Sequence, residues 1–236
     1  MTTPLRILHD QDGLVVVDKP PDRPTTGRTL DDPDGVQHAL MEQLRRRPLW
    51  AVHQLDRETS GVNLFVRRKA LVELWAGHLK AGRKVYVAIC HGVPGPVGEP
   101  VEVDAPLGWI EATRRQGVTA DGRAAQSTFL TLQTAGPFAL VLVRIATGRT
   151  HQVRLHLEHL GCALVGERRY REPPCELHPR QALHALVVDC GAAGLFAAGI
   201  PRDLLELAAR LGLEAGLARV QAGLDKLGLP PVNLGG

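Results

Sequence analysis

The chain has 236 residues, of which 44% are hydrophobic and 22% charged, with a formal net charge of +3, enough for one substantial core or two small ones. No segment approaches ~18 uninterrupted apolar residues, and the first twenty carry Arg6, Asp10, Asp12, Asp18 and Lys19, so neither a helical membrane span nor a secretory leader is expected and a cytoplasmic location follows. Cys90, Cys162, Cys175 and Cys190 form no Cys-x-x-Cys pair, which predicts reduced, buried thiols rather than a disulfide framework or a zinc site.

Strand-like runs are expected at 5–8, 14–18, 62–66, 85–91, 127–133, 138–145 and 184–190, alternating with helical patterns near 35–47, 69–80, 151–160 and 203–211. Short strands with few crossover helices predict an α+β fold, a mixed, mainly antiparallel central sheet with flanking helices, organised as a single domain over 1–236 with a helical extension from 201 to the end. Arg45, Arg46 and Arg47 fall where they complement the first helix's dipole. The segment 92–100 reads as a turn-rich connector, 108–123 as a flexible stretch carrying Arg114, Arg115 and Arg123, and the chain after Lys226 as an irregular end.

A polar loop precedes the run 62–66: His53, Gln54, Asp56, Arg57, Glu58, Thr59 and Ser60 place seven polar side chains in nine positions, more than a connector needs. Thr59, Ser60 and Gly61 are expected to form the turn feeding the strand, which sets Asp56 at a strand mouth. On this segment alone, a cap to a turn is the commoner use of such an Asp. Further along, the segment 146–157 leads from a strand into a helix ended by Gly161, and Arg149, His151 and Arg154 crowd the helix start, where backbone N–H groups favour a phosphate or a carboxylate. One of those arginines can pair with Asp56; solvated surface charge is the bland alternative. His151, His156 and His159 lack a His-Glu-x-x-His pattern or a Cys or carboxylate at a familiar offset, so no metal is expected.

Taken together the two segments resemble the RluA-type pseudouridine synthases, whose signatures read His-Arg-Leu-Asp-x-x-Thr-Ser-Gly and Thr-Gly-Arg-Thr-His-Gln-hydrophobic-Arg-x-His-Leu. The likeness is ordered over about residues 5–190: Ile7 and Leu8, then Leu14 to Lys19 and Pro20, the Asp56 loop, Lys84 to Ala88, Gly148 to Leu157, Gly166 to Tyr170, and Leu183 to Ala185. It implies isomerisation of specific uridines in structured ribosomal or transfer RNA by a monomer that needs no cofactor. The C1′–N1 bond breaks, the uracil turns, and C5 joins C1′. It also implies that Asp56 is the essential carboxylate, attacking C1′ or the base or removing a sugar proton. Tyr86 would pack on the uracil and take the C5 proton, and Arg154 rather than Arg149 would hold Asp56 ionised. Gln54, Arg57, Arg149 and His151 are the expected RNA-binding residues.

Departures from the pattern are informative. Gln54 stands where the family carries Arg, the residue associated with entering RNA as a nucleotide flips; Gln hydrogen-bonds a base edge but neither contacts phosphate as a cation nor stacks as a guanidinium. Lys19, Pro20, Pro21 and Asp22 replace a small residue and Gly, which stiffens that loop. No functional account of Asn63 or Arg171 follows from the sequence. Six basic residues against Glu73 over 67–84, and six arginines against Glu158 and Glu167 over 144–171, suit phosphate contact or a solvated face. Two other classes compete: a catalytically silent RNA-binding paralogue, and a hydrolase using Asp56 on a small nucleoside. The second has no need of the basic clusters. No Gly-x-x-x-x-Gly-Lys or Gly-x-Gly-x-x-Gly pattern is present.

Overall fold

Leu14 to Val17 are four consecutive apolar residues, and in a strand their side chains alternate between faces, so such a run is stable only where both faces are covered. The computed structural model, which describes residues 4–45 and 48–234, shows how this is met. Leu14 and Val16 pack with Val62, Leu64, Val66, Val188 and Leu79, while Val15 and Val17 pack with Val36, Leu40, Met41, Leu49 and Phe65. The described residues form two compact units. One holds the chain up to Arg83 together with His184–Ile200; the other holds Lys84–Leu183 and Pro201–Val232.

In the first unit β1 (Arg6–Gln11), β2 (Leu14–Lys19), β4 (Ser60–Val66) and β11 (Leu183–Asp189) lie side by side, with the short β3 (Trp50–Ala51) added to β4 and β12 (Leu195–Ala197) to β11. The β1–β2, β2–β4, β3–β4 and β11–β12 pairs are antiparallel, whereas β4 and β11 run parallel, with His184 opposite Ser60 and Ala185 opposite Gly61. Helix α1 (Val36–Gln43) covers one face and α2 (Leu71–Ala81) the other. Gly35 gives α1 no side-chain cap; its first amides bond instead to the carbonyls of Pro24 and Thr25 in the loop after β2.

Gly61 has φ +113°, and a Cβ there would sit 2.1 Å from the Ala185 carbonyl oxygen, so the β4–β11 approach tolerates only glycine. Gly61→Ala is expected to lower stability by about 3 kcal/mol, read as a drop in the urea midpoint; an unchanged midpoint would mean that this close approach is dispensable.

In the second unit β5 (Arg83–His91), β10 (Phe138–Ile145), β9 (Gln126–Ala135) and β6 (Pro100–Asp104) pair antiparallel in that order, and β7 (Leu107–Ile110) and β8 (Arg115–Val118) form a separate hairpin. Helix α3 (Gln152–His159) follows β10; α4 (Arg202–Arg210), α5 (Glu214–Leu217) and α6 (Val220–Lys226) make up the C-terminal helical region. The fold is thus α+β with mainly antiparallel sheet, as composition and spacing predict. Asp203 at the start of α4 pairs with Arg180 through two bonds of 2.7 and 3.1 Å and lies 3.3 Å from His178. Burial raises the Asp203 carboxyl, but hydrogen bonds and charge from His178 and Arg180 outweigh it and hold the group well below its ordinary 3.8. A depressed carboxylate stabilises the fold above its unfolded pKa and loses that contribution as pH falls toward the folded value. The melting temperature should therefore fall as pH drops below 3.8, and Asp203→Asn should flatten that acid limb; an unchanged limb would assign acid sensitivity elsewhere.

Several expectations are corrected. Strand β4 begins at Ser60, so Ser60 and Gly61 belong to the strand rather than to the turn before it, because Ser60 and Gly61 are paired to β11. The stretch 108–123 contains the β7/β8 hairpin, anchored by Leu107 and Val118 against Ala125, Leu155 and Tyr170. Helix α1 ends at Gln43, and Arg45 follows with φ +49°; Arg46 and Arg47 lie outside the described residues. All four cysteines are buried and free, as expected. The segment 227–234 has no regular structure.

Candidate active site

The Asp56 loop is built on a buried cation. Lys19, at the end of β2, is fully buried and its Nζ donates to the carbonyls of Pro20 at 2.9 Å, Arg23 at 2.6 Å and Arg57 at 3.0 Å. Burying an ammonium is costly unless its donors are met, so these carbonyls are held in one arrangement around it. Thr25, also fully buried, supports the other side: its hydroxyl oxygen accepts from the Leu55 amide at 2.9 Å and reaches the Leu55 carbonyl at 3.4 Å. Asp56 is fixed between these two anchors, and its carbonyl accepts from the Thr59 amide at 3.0 Å, closing a turn over 56–59. The loop after β2 thus works as a strap that grips the backbone on either side of the carboxylate, at Leu55 and Arg57.

Asn63 now has a physical account. It is fully buried within β4, and its side-chain amide donates to the His53 carbonyl at 3.2 Å, while the Leu64 amide donates to His53 Nε2 at 3.2 Å. The polar interruption in an apolar strand is what ties the start of the Asp56 loop to the sheet. Ser60 Oγ lies 2.9 Å from His184 Nδ1, a buried link between β4 and β11. Arg57 is half-exposed and directed at the strap, donating to the Asp22 carbonyl at 2.9 Å and lying 3.6 Å from Asp34. Gln54 is exposed and accepts from the Thr26 hydroxyl at 3.2 Å.

In the second unit Tyr86 sits on β5 opposite Val143, 8% exposed. Gln152 organises the turn into α3: its Oε1 accepts from the Thr147 hydroxyl at 2.7 Å and the Arg149 amide at 3.1 Å, and its Nε2 donates to the Gln126 carbonyl and the Ser127 hydroxyl. His151 is the N-cap of α3 with φ +56°, a conformation that non-glycine residues rarely adopt, and its Nδ1 lies 2.5 Å from the Tyr170 hydroxyl. Arg149 donates to the Ala124 carbonyl at 2.9 Å. His156 is fully buried, 2.9 Å from Ser127 Oγ and 3.0 Å from the Ala105 carbonyl, and burial lowers its pKa against the opposing pull of that carbonyl.

Arg154 carries the arrangement that the sequence did not disclose. Its guanidinium forms a two-pronged pair with Glu167 at 2.8 and 2.9 Å, both side chains buried, and stands 4.9 Å over the Tyr170 ring. Glu167 also accepts from the amides of Arg169 at 2.8 Å and Tyr170 at 3.2 Å. Burial raises the Glu167 carboxyl, yet the Arg154 bond and charge with the two amides outweigh it, leaving the group below the usual carboxylate range. Gly166, with φ +79°, makes the turn that delivers Glu167; a Cβ there would meet the Arg180 carbonyl at 1.9 Å. The block 166–170 resembles the family pattern in sequence, but only the fold shows that its acid belongs to Arg154.

The basic clusters are partly structural. Arg67 pairs with Asp10, Arg83 with Asp189 at 3.2 Å, and Arg144 bonds to the Leu227 carbonyl and the Thr128 hydroxyl. Arg68, Lys69 and Lys80 are exposed. Among the described residues no helix is long and apolar enough to cross a membrane.

A carboxylate loop clamped by a buried lysine is thus set in an α+β scaffold of mainly antiparallel sheet. Residues 13–159 match the family described as RNA pseudouridylate synthase. The chain belongs to that family, in its RluA-type branch. It is 38% identical over 162 residues to an uncharacterized RNA pseudouridine synthase of Chloroflexus aurantiacus, covering 65% of this chain and 50% of the relative. It is 30% identical over 186 residues to the dual-specificity RNA pseudouridine synthase RluA of Escherichia coli, covering 77% and 84%. Human RNA pseudouridylate synthase domain containing 1 shares its fold, with a TM-score of 0.71 at 21% identity over 97% of each chain. The chain spans about half the length of the first curated relatives it matches.

Proposed function

We propose that this chain isomerises specific uridines in ribosomal or transfer RNA to pseudouridine, acting in the cytoplasm as a monomer, with Asp56 as the essential carboxylate. The C1′–N1 bond breaks and a C1′–C5 bond forms; C5 loses a proton and N1 gains one, so atoms balance without an external reagent. Tyr86 packs on the uracil and takes the C5 proton, and Arg154 keeps the carboxylate ionised. Gln54, Arg57, Arg149 and His151 contact the RNA.

The observation that carries this reading is the Asp56 loop held between fully buried Lys19 and Thr25. A silent RNA-binding paralogue has no need of an acid whose backbone is fixed on both sides, since affinity for phosphate comes from exposed cations. Preorganisation of one carboxylate is what a reaction with a single essential acid requires. The test is to map pseudouridine across ribosomal and transfer RNA in cells with and without the gene, and to restore the missing positions with purified protein. Sites that vanish and return establish the activity; an unchanged map, with RNA still bound, favours the silent paralogue.

A further inference from the structure

A cavity of about 780 Å³ opens beside the Asp56 loop, lined by Thr26, Gln37, Trp50, Gln54, Lys69 and Glu73 among others, all in the first unit. Its floor is fixed. Trp50 pairs with Val66 through β3 and is packed in part on the core, and buried Gln37 donates to the Leu49 carbonyl at 2.5 Å. Its lining is partly polar: the Thr26 hydroxyl donates to the Gln54 amide oxygen at 3.2 Å, and Lys69 and Glu73 also line it and are exposed. The volume lies within the range of small-ligand sites.

We propose that this cavity is a nucleobase pocket that takes an unpaired base of the RNA next to the target uridine, stacked on Trp50, with its edge on Gln54 and Glu73 and its phosphate on Lys69. The proposal rests on the uridine-isomerising reading of Asp56. Three features point to this occupant. An indole face accepts any base by stacking, whereas amide and carboxylate groups at the rim suit the donors and acceptors of a base edge. Lys69, with exposed Arg68 beside it, supplies the cation that a polyanion needs. Gln54 is two residues from Asp56, at most ~7 Å of chain, so a strand whose uridine reaches Asp56 brings its neighbouring nucleotide to the cavity mouth. The Gln at position 54 then has a reason. Where an Arg side chain would project toward the RNA as a free wedge, a shorter amide tied to Thr26 leaves the cavity open to a base.

The test uses the full chain carrying Asp56→Asn, mixed with the organism's own ribosomal and transfer RNA and irradiated with ultraviolet light, the cross-linked peptides being identified by mass spectrometry. A nucleotide joined to Trp50 is expected, and Gln54→Ala with Lys69→Glu in the same background should weaken RNA binding by about tenfold or more, while Lys226→Glu changes it less than twofold. Cross-links confined to other peptides, or equal binding by all these variants, would overturn the pocket. Adenosine monophosphate alone should not suppress the Trp50 cross-link at micromolar concentration; if it does, the site belongs to free nucleotides instead. Failure of the pocket and failure of the activity separate cleanly. Pseudouridine formed by the wild type without a Trp50 cross-link in the Asp56→Asn background removes only the pocket, and a Trp50 cross-link without any pseudouridine removes the isomerisation and with it the assignment of the bound base as the neighbour of a target uridine.

Discussion

Asp56→Asn should abolish pseudouridine formation, by about a thousandfold or more in single-turnover rate, while RNA binding changes by no more than about twofold. The substitution keeps side-chain volume and replaces one carboxylate oxygen with an amide NH2, which removes the charge and the ionisable group. It leaves the loop intact, because Lys19 holds the Arg57 carbonyl and Thr25 holds Leu55, neither through the Asp56 side chain. The melting temperature should therefore stay near that of the wild type. A rate within tenfold of the wild type would remove Asp56 from the chemistry and shift attention to another acid. A lost rate with lost binding would mean instead that the carboxylate shapes the loop.

The strands most legible in the sequence are those covered on both faces. β10 runs over Phe138–Ile145, the span its apolar run gives, since Gly136 and Pro137 break the chain before it and Thr147 and Gly148 after it. β3 and β6 were not legible. Trp50–Ala51 is two residues long, and in β6 Pro100, Glu102 and Asp104 leave only Val101 and Val103 as a signal. The hairpin of β7 and β8 hides for a related reason: its anchor is a few apolar side chains placed against Leu155 and Tyr170, which lie far along the chain.

The candidate site divides in the same way. Asp56, Arg154 and His151 stand out because charged groups cluster within short windows. The residues that hold them do not, because their partners are distant in sequence: Lys19 reaches Arg57 across 38 positions and Thr25 reaches Leu55 across 30. Asn63 looks like a flaw in an apolar strand until its bond to His53 is seen. Glu167 looks like one acid in a basic stretch, and nothing in the order of residues pairs it with Arg154 thirteen positions earlier.

That pair supplies the second large effect. Arg154→Met should lower stability by about 3–5 kcal/mol, because it strands the buried Glu167 carboxylate without its cation. It should also remove turnover, if Arg154 acts on the proposed carboxylate. A single variant cannot separate the two effects, since a poorly folded enzyme is also inactive. The double change Arg154→Met with Glu167→Gln can. Gln at 167 no longer needs a cation and keeps an oxygen that can accept from the Arg169 and Tyr170 amides, so most of the lost stability should return. Turnover should not return, because the proposed role of Arg154 toward Asp56 is lost in the double variant as well. The measurements are a urea midpoint and a single-turnover rate for wild type, each single variant and the double. Recovery of both stability and turnover in the double variant would make Arg154 a scaffold for the 166–170 turn alone, and the group acting on Asp56 would have to be sought elsewhere.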